Sequence, residues 1–185
     1  MEKHSYLCAV KKAETRFFEK CPDTFVNLIG EYTVSIDNKC RLRLPTALLR
    51  QLGERPDGDQ GYAFVINRGF EKCMALYPKK VWDEITAKIS KLNRFNERNR
   101  MFFRTFYLGA AAIETDAADR ILLPKALMEY AGVSDEAILV AMDDRIEIWS
   151  RQEYDKMMSI NPEDFADLAN EVMGDNPGEV SSLDL

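Results

Sequence analysis

Histidine is nearly missing from this chain: the only one is His4, close to the first residue. With a single imidazole, in a segment that shows no regular period, no Ser-His-Asp or Cys-His arrangement can be drawn within the folded part. No glycine-rich phosphate loop follows a strand-like stretch, which removes the usual nucleotide-binding signatures. The four cysteines, Cys8, Cys21, Cys40 and Cys73, are widely scattered, with no paired spacing that suggests zinc or redox work. They read as reduced thiols of a cytosolic protein. Long apolar runs are also missing. Stretches such as "YLCAV" and "GAAAI" fall far short of the roughly 20 residues that cross a bilayer, and no sustained apolar run before Cys21 suggests a secretory signal. A metal site would have to be all carboxylate, yet no acidic cluster recurs along the chain. Pairs such as Asp143-Asp144 fall in a turn, where solvation explains them. The one enzymatic reading left is an acid hydrolase working through carboxylates. Nothing calls for a cofactor, a metal, a membrane or a small-molecule substrate.

What remains is a chain of 185 residues, 46% hydrophobic and 30% charged, the balance of a soluble globular protein of one domain or two small halves. The net charge of −6 argues at first against a nucleic-acid partner. Its distribution matters more than its total. From Glu153 onward nine acids face one base, Lys156, so that segment carries −8 and residues 1–152 carry +2. Residues 37–55 hold five basic and two acidic side chains, and residues 88–104 hold six basic and one acidic. The body can therefore present basic faces to a polyanion while the tail stays acidic.

One short device occurs twice, as "SIDNKCRLRLPTALLRQLG" (35–53) and "TDAADRILLPKALMEYAG" (115–132). Asp37, Arg41, Leu44, Pro45, Leu48 and Gly53 align with Asp116, Arg120, Leu123, Pro124, Leu127 and Gly132, every pair at the same offset along the chain. Before the first copy, Gly30–Ile36 alternates, with Tyr32, Val34 and Ile36 on one face: a half-buried strand. Asp37-Asn38 is turn chemistry, and Arg41-Leu42-Arg43-Leu44 is a second strand. Pro45 suits the first helical position and Gly53 the position just past the helix end. "YAFVIN" and "CMALYP" then read as strands turning at Arg68-Gly69. The second copy repeats the order with "AAIETD", "RILLP", a helix to Gly132, and "AILVAM" and "RIEIWS" turning at Asp143-Asp144. Leu76-Tyr77 answers Ile148-Trp149 at a slightly smaller offset, because the loop before the second strand pair is shorter. Each copy is too small to bury its apolar face alone, so the halves are expected to interleave around one core.

Between the copies, residues 79–107 predict two helices split near Asn93–Asn96. Val81, Trp82, Ile85, Ile89 and Leu92 form the apolar stripe of the first, and Phe102, Phe103 and Phe106 that of the second, which Asn96 can cap. Arg98, Arg100 and Arg104 are a solvated face, a subunit contact or an electrostatic ledge for DNA.

The recurring Asp-x-x-x-Arg turn has two readings. In one, the Asp caps the turn and the Arg pairs with it or covers apolar surface. In the other, the turn projects arginine toward phosphates or base edges, for which the planar guanidinium fork is suited. Lys39 and Arg43 flank Arg41 in the first copy and strengthen the second reading. A two-stranded ribbon is narrow enough for a major groove.

At these residues the chain resembles the MraZ family, bacterial regulators associated with the division and cell-wall gene cluster. The resemblance runs from about Leu28 to Glu153. It rests on both Asp-x-x-x-Arg turns, the "LP" helix openings, "GFEKCMALYP" and "KISKLNRFNERNRMFFRTFYLGA". It implies an α+β fold in which two pseudo-symmetric, AbrB-like (swapped-hairpin) β-rich halves form one barrel-like unit with a central helix pair. It also implies a cytoplasmic, nucleoid-associated transcription regulator that binds double-stranded DNA, including its own promoter, as a homo-oligomeric ring. Carried over by motif position, Asp37 and Asp116 shape the turns, and Arg41 and Arg120 face DNA, with Lys39 and Arg43 beside the first. The family places Gly before each Arg; here Cys40 and Asp119 stand there. The alternative is an assembly or scaffold protein whose basic surfaces make subunit contacts.

The expected organisation is therefore a disordered extension over 1–25, a first half over 26–78, a helical connector over 79–108, a second half over 109–153 and an acidic tail over 154–185. From about Pro162 the tail is expected to be mobile or loosely held.

Overall fold

The computed structural model describes residues 27–53 and 61–174; the expected N-terminal extension and the end of the acidic tail lie outside the described residues. In chain order the elements are β1 (Leu28–Ser35), β2 (Arg41–Arg43), α1 (Thr46–Gln51), β3 (Ala63–Arg68), β4 (Met74–Pro78), α2 (Lys79–Ile89) and α3 (Glu97–Phe106). There follow β5 (Ala111–Glu114), β6 (Arg120–Leu122), α4 (Lys125–Ala131), β7 (Glu136–Asp143), β8 (Arg145–Trp149), α5 (Arg151–Met157) and α6 (Pro162–Gly174).

Eight strands form two antiparallel sheets: six in the order β1-β7-β8-β4-β3-β5, and a ribbon of β2 and β6. Strands from the two copies interleave, the hairpins β3-β4 and β7-β8 lying side by side in the sheet, rather than closing two separate units. β1 pairs with β7, β5 with β3, β4 with β8, and β2 with β6. The registers map onto themselves under the repeat offsets. In the ribbon Leu42 pairs with Ile121, and in the sheet Ala75 pairs with Glu147. Each partner is the residue's own counterpart in the other copy. Both offsets read from the sequence thus describe one approximate two-fold relation.

The barrel-like closure expected from the resemblance is not what the strands form. Among the described residues the six-stranded sheet ends at β1 and β5, and the ribbon is hydrogen-bonded separately, linked by a single bridge between Ile36 and Leu42. Three-residue strands paired to each other leave too few backbone groups to join the sheet edges. The result is a mixed α/β fold around a large antiparallel sheet.

Side-chain alternation explains the layering. From β3 and β4, Phe64, Ile66, Met74 and Leu76 enter the main core with Leu42, Leu44 and Leu48 of the first copy and Ile121, Leu123 and Leu127 of the second. The alternate residues Val65, Ala75 and Tyr77 face the other way, onto Val81, Trp82, Ile85, Ile89 and Phe106 of the helix pair. Covered on both faces, these strands lose the polar alternation of a half-solvated sheet. Trp82 stacks on Phe106 at 5.1 Å between ring centroids, and the buried Asn67 amide donates to the Phe106 carbonyl at 3.0 Å. These contacts fix α2 and α3 to the sheet. Asn96 caps α3 by accepting from the amides of Arg98 and Asn99, as its position suggested.

One local expectation needs correction. Pro45 and Pro124 do not occupy the first helical position; they sit one residue earlier, with ψ of 134° and 125°. Proline's fixed φ near −60° suits an extended residue equally well. There each carbonyl takes the first helical amides, those of Leu48 and Leu49 or of Leu127 and Met128. The acidic segment also contains a helix, α6. Asn161 accepts from the Asp164 amide, Pro162 opens the first turn, and Phe165, Leu168, Ala169 and Val172 recur at helical spacing. No helix among the described residues is long and apolar enough to cross a membrane.

Candidate nucleic-acid interface

Each turn of the ribbon is organised by one carboxylate whose two oxygens do different work. Asp37 Oδ1 accepts the backbone amides of Lys39 and Arg41 at 2.9 and 3.0 Å. Its Oδ2 takes Arg41 Nε at 2.8 Å and Nη2 at 2.7 Å. In the second copy Asp116 Oδ1 accepts the amides of Ala118 and Arg120 at 2.9 and 3.0 Å. Asp116 Oδ2 takes Arg120 Nε at 2.8 Å and Nη2 at 2.7 Å. Hydrogen bonds to the charged form hold both carboxyls down at about 2, chiefly those from the arginine side chains. Asp116 raises the Arg120 guanidinium above its ordinary value, and Asp37 adds to this from the opposite turn.

The residue before each arginine completes the turn. Cys40 has φ of 59° and Asp119 of 60°, the left-handed region that side chains enter at a cost. In this conformation the Cys40 carbonyl accepts the Leu123 amide at 2.8 Å, and the Asp119 carbonyl accepts the Leu44 amide at 2.9 Å. Each turn is thus tied to the other copy's strand. A positive φ favours glycine, and this chain reaches it without glycine in both turns.

The ribbon brings the sequence-selected residues together. Leu42 and Ile121 are fully buried beneath it. On the outer face Arg41 stands opposite Leu122, and Arg43 opposite Arg120, with Lys39 exposed in the first turn. Sequence reasoning missed Leu122, which is 58% exposed among three guanidinium groups. It occupies the position of Arg43 in the repeat, so the constant offset between the copies was the available signal. An open depression of about 730 Å³ adjoins it, with Lys39 and Lys125 on its rim and Cys40, Ile113 and Leu122 in its lining.

Chemically, each guanidinium has five N–H donors. Its Asp engages Nε–H and one Nη2–H, which leaves an end-on edge able to bond two acceptors, such as guanine O6 and N7 or two phosphate oxygens. The aspartate aims the arginine without filling its fork, so the two sequence readings of the turn are compatible.

A second grouping lies on the opposite side of the sheet. Carboxylates of Glu71 and Glu147 approach the Cys73 thiol, all within 4.8 Å of one another. Glu147 is already engaged by Arg145 Nε at 3.3 Å and Trp149 Nε1 at 3.1 Å. Burial pushes the Cys73 thiol far up, with both carboxylates adding to it, so this thiol stays protonated and inert.

Residues 28–105 and 106–176 each match the model of the family described as "MraZ protein, putative antitoxin-like". The chain is 40% identical over 152 residues to the transcriptional regulator MraZ of Christiangramia forsetii, covering 82% of this chain and 96% of that protein. It is 42% identical to that of Flavobacterium psychrophilum, covering 80% and 92% respectively. The corresponding figures for Cytophaga hutchinsonii are 38%, 78% and 93%.

Proposed function

Because the chain belongs to the MraZ family, we propose that it is a sequence-specific, DNA-binding transcription regulator rather than an enzyme. It acts in the cytoplasm, on the nucleoid, upon the division and cell-wall gene cluster and its own promoter. Residues 26–78 and 109–153 are its two AbrB-like halves, 79–108 the connector and 154–185 the acidic tail. The outer face of the ribbon is the reading surface: Arg41, Arg43 and Arg120 supply forks to base edges and phosphates, and Lys39 a further phosphate contact. Asp37 and Asp116 orient the two turn arginines.

The observation that carries this reading is the duplicated, aspartate-pinned arginine turn, two copies side by side on one narrow ribbon. A structural salt bridge alone needs no second copy with matching distances next to the first. A single subunit offers only two such turns, so recognition of repeated DNA sites calls for several subunits in register, a homo-oligomeric ring.

The test is a gel shift on the DNA upstream of the chain's own gene, with light scattering on the free protein. The native chain is expected to form a discrete, salt-sensitive complex and to exceed the 21.2 kDa of one chain in solution. Arg41→Ala is expected to abolish the specific complex without changing the mass. Retention of the complex in Arg41→Ala, Arg43→Ala and Arg120→Ala alike would remove the ribbon from the reading.

A further inference from the structure

The helix pair and α6 carry complementary features that neither satisfies among the described residues of one chain. Between the end of α2 and the outer side of α3 runs an open groove of about 330 Å³, lined by Ser90, Arg94, Arg100, Phe103, Arg104 and Tyr107. Arg94 lies over the Phe103 ring at 5.2 Å, and Arg100 Nη1 donates to the Phe95 carbonyl at 2.7 Å, so two of the three arginines are held in place. Among the described residues no acidic side chain lines this groove. Beside it Phe95 is 94% exposed, and Met101 and Leu108 are exposed as well.

Helix α6 is the converse surface. Phe165, Leu168, Ala169 and Val172 stand at i, i+3, i+4 and i+7, one apolar face along about 11 Å of helix. The two ends of that face are open, with Phe165 61% and Val172 56% exposed, while Leu168 and Ala169 between them are half-buried. At 100° per residue, the flank beside Leu168 carries Asp164 and Glu171, whereas the flank beyond Ala169 carries Ala166 and Asn170. The helix has four acids and no base. An amphipathic helix with one acidic flank fits an aromatic-floored groove with an arginine rim, and in only one orientation.

We propose that α6 of one copy docks in the α2–α3 groove of a second copy, apolar face on Phe103 and Tyr107, and Asp164 and Glu171 toward the arginines. A contact made by different patches on donor and acceptor is head-to-tail, the kind that generates a ring where the rotation between copies closes. The inference rests on the self-assembly reading above and assigns its surface.

Two full-length variants test it: a groove variant with Arg94→Glu, Arg100→Glu and Arg104→Glu, and a helix variant with Asp164→Lys and Glu171→Lys. Each alone is expected to self-associate about tenfold more weakly, because like charges now meet. An equimolar mixture is expected to regain the native mass, since each helix then meets a groove of opposite sign on the other variant. Far-UV circular dichroism checks that both keep their helices. The neutral Arg94→Gln, Arg100→Gln, Arg104→Gln and the apolar Phe165→Ser provide milder versions, each expected to lower the mass at a given concentration. A native chain that is monomeric would overturn both this proposal and the ring. A native oligomer whose mass none of these variants changes would overturn the docking alone. So would folded variants that fail to recover on mixing, or a groove variant that keeps its mass but loses DNA, which would assign the groove to DNA.

Discussion

Asp37 and Asp116 combine a turn-forming role with a charge role, and pH separates the two. Their folded pKa of about 2 lies below the ordinary 3.8, so between those values the unfolded chain binds more protons. Their contribution is therefore fully present above about pH 4 and is lost as pH falls toward 2. Asp37→Asn with Asp116→Asn keeps an oxygen for the turn amides but removes the charge beside each arginine. Denaturant midpoints at pH 5 and pH 3 are expected to show a smaller acid-side loss in this double variant than in the native chain. The residues preceding the arginines make a separate prediction. A left-handed residue costs about 1–2 kcal/mol, and glycine's extra chain freedom costs about 0.5–1 kcal/mol. Cys40→Gly is therefore expected to stabilise by about 0.5–1 kcal/mol, and Asp119→Gly by less, since Asp tolerates this region better. In DNA titrations the ranking reverses. Asp119→Gly removes a carboxylate next to Arg120 and is expected to tighten binding and steepen its salt dependence. For the same reason Arg41→Ala is expected to abolish specific binding while Arg120→Ala leaves a remainder. Greater damage from Arg120→Ala would mean that Asp119 orients its neighbour instead of opposing it.

Helices α1 and α4 are the matched elements on which the repeat can be tested by packing. Leu48 and Leu127, counterparts in the two copies, are each essentially fully buried in the one main core. Leu48→Ala and Leu127→Ala are each expected to cost about 2–5 kcal/mol, with similar values because the two sites share their surroundings. Chemical denaturation of the two variants would show it, and a difference of several-fold would mean that the core is not evenly shared. Much at this scale was legible beforehand: both turns, the hairpin at Asp143-Asp144, the Asn96 cap and the stripes of α2 and α3 followed from short-range patterns. What escaped was long-range or degenerate. The open ends at β1 and β5 depend on which strands find one another, and no local pattern records that. Pro45 and Pro124 were displaced by one residue because proline's φ serves a helix start and an extended lead-in alike. Helix α6 was hidden by its acidity, although Phe165, Leu168 and Val172 carried its period. Leu122 looked like one more strand residue until the ribbon's register set it opposite Arg41.

Across the whole molecule, the first copy contributes β1, β2, β3 and β4, and each of these pairs with a strand of the second. The chain crosses from one copy to the other between Phe106 and Ala111, on the outside of the sheet, and that crossing adds no strand to either ladder. The two carbonyl-to-amide links, Cys40 to Leu123 and Asp119 to Leu44, brace the turns across the same divide. Covalent continuity is consequently the least important of the bonds joining the copies. Two separately translated fragments, cut within residues 107–110 and co-expressed, are expected to find each other and rebuild the molecule, whereas either fragment made alone is expected to be insoluble or to pair with itself. Co-purification of an untagged fragment with a tagged one checks this. The connection would then serve to set the fragments' ratio at one to one and to raise their local concentration, as a tether does, with the architecture written entirely in the contacts.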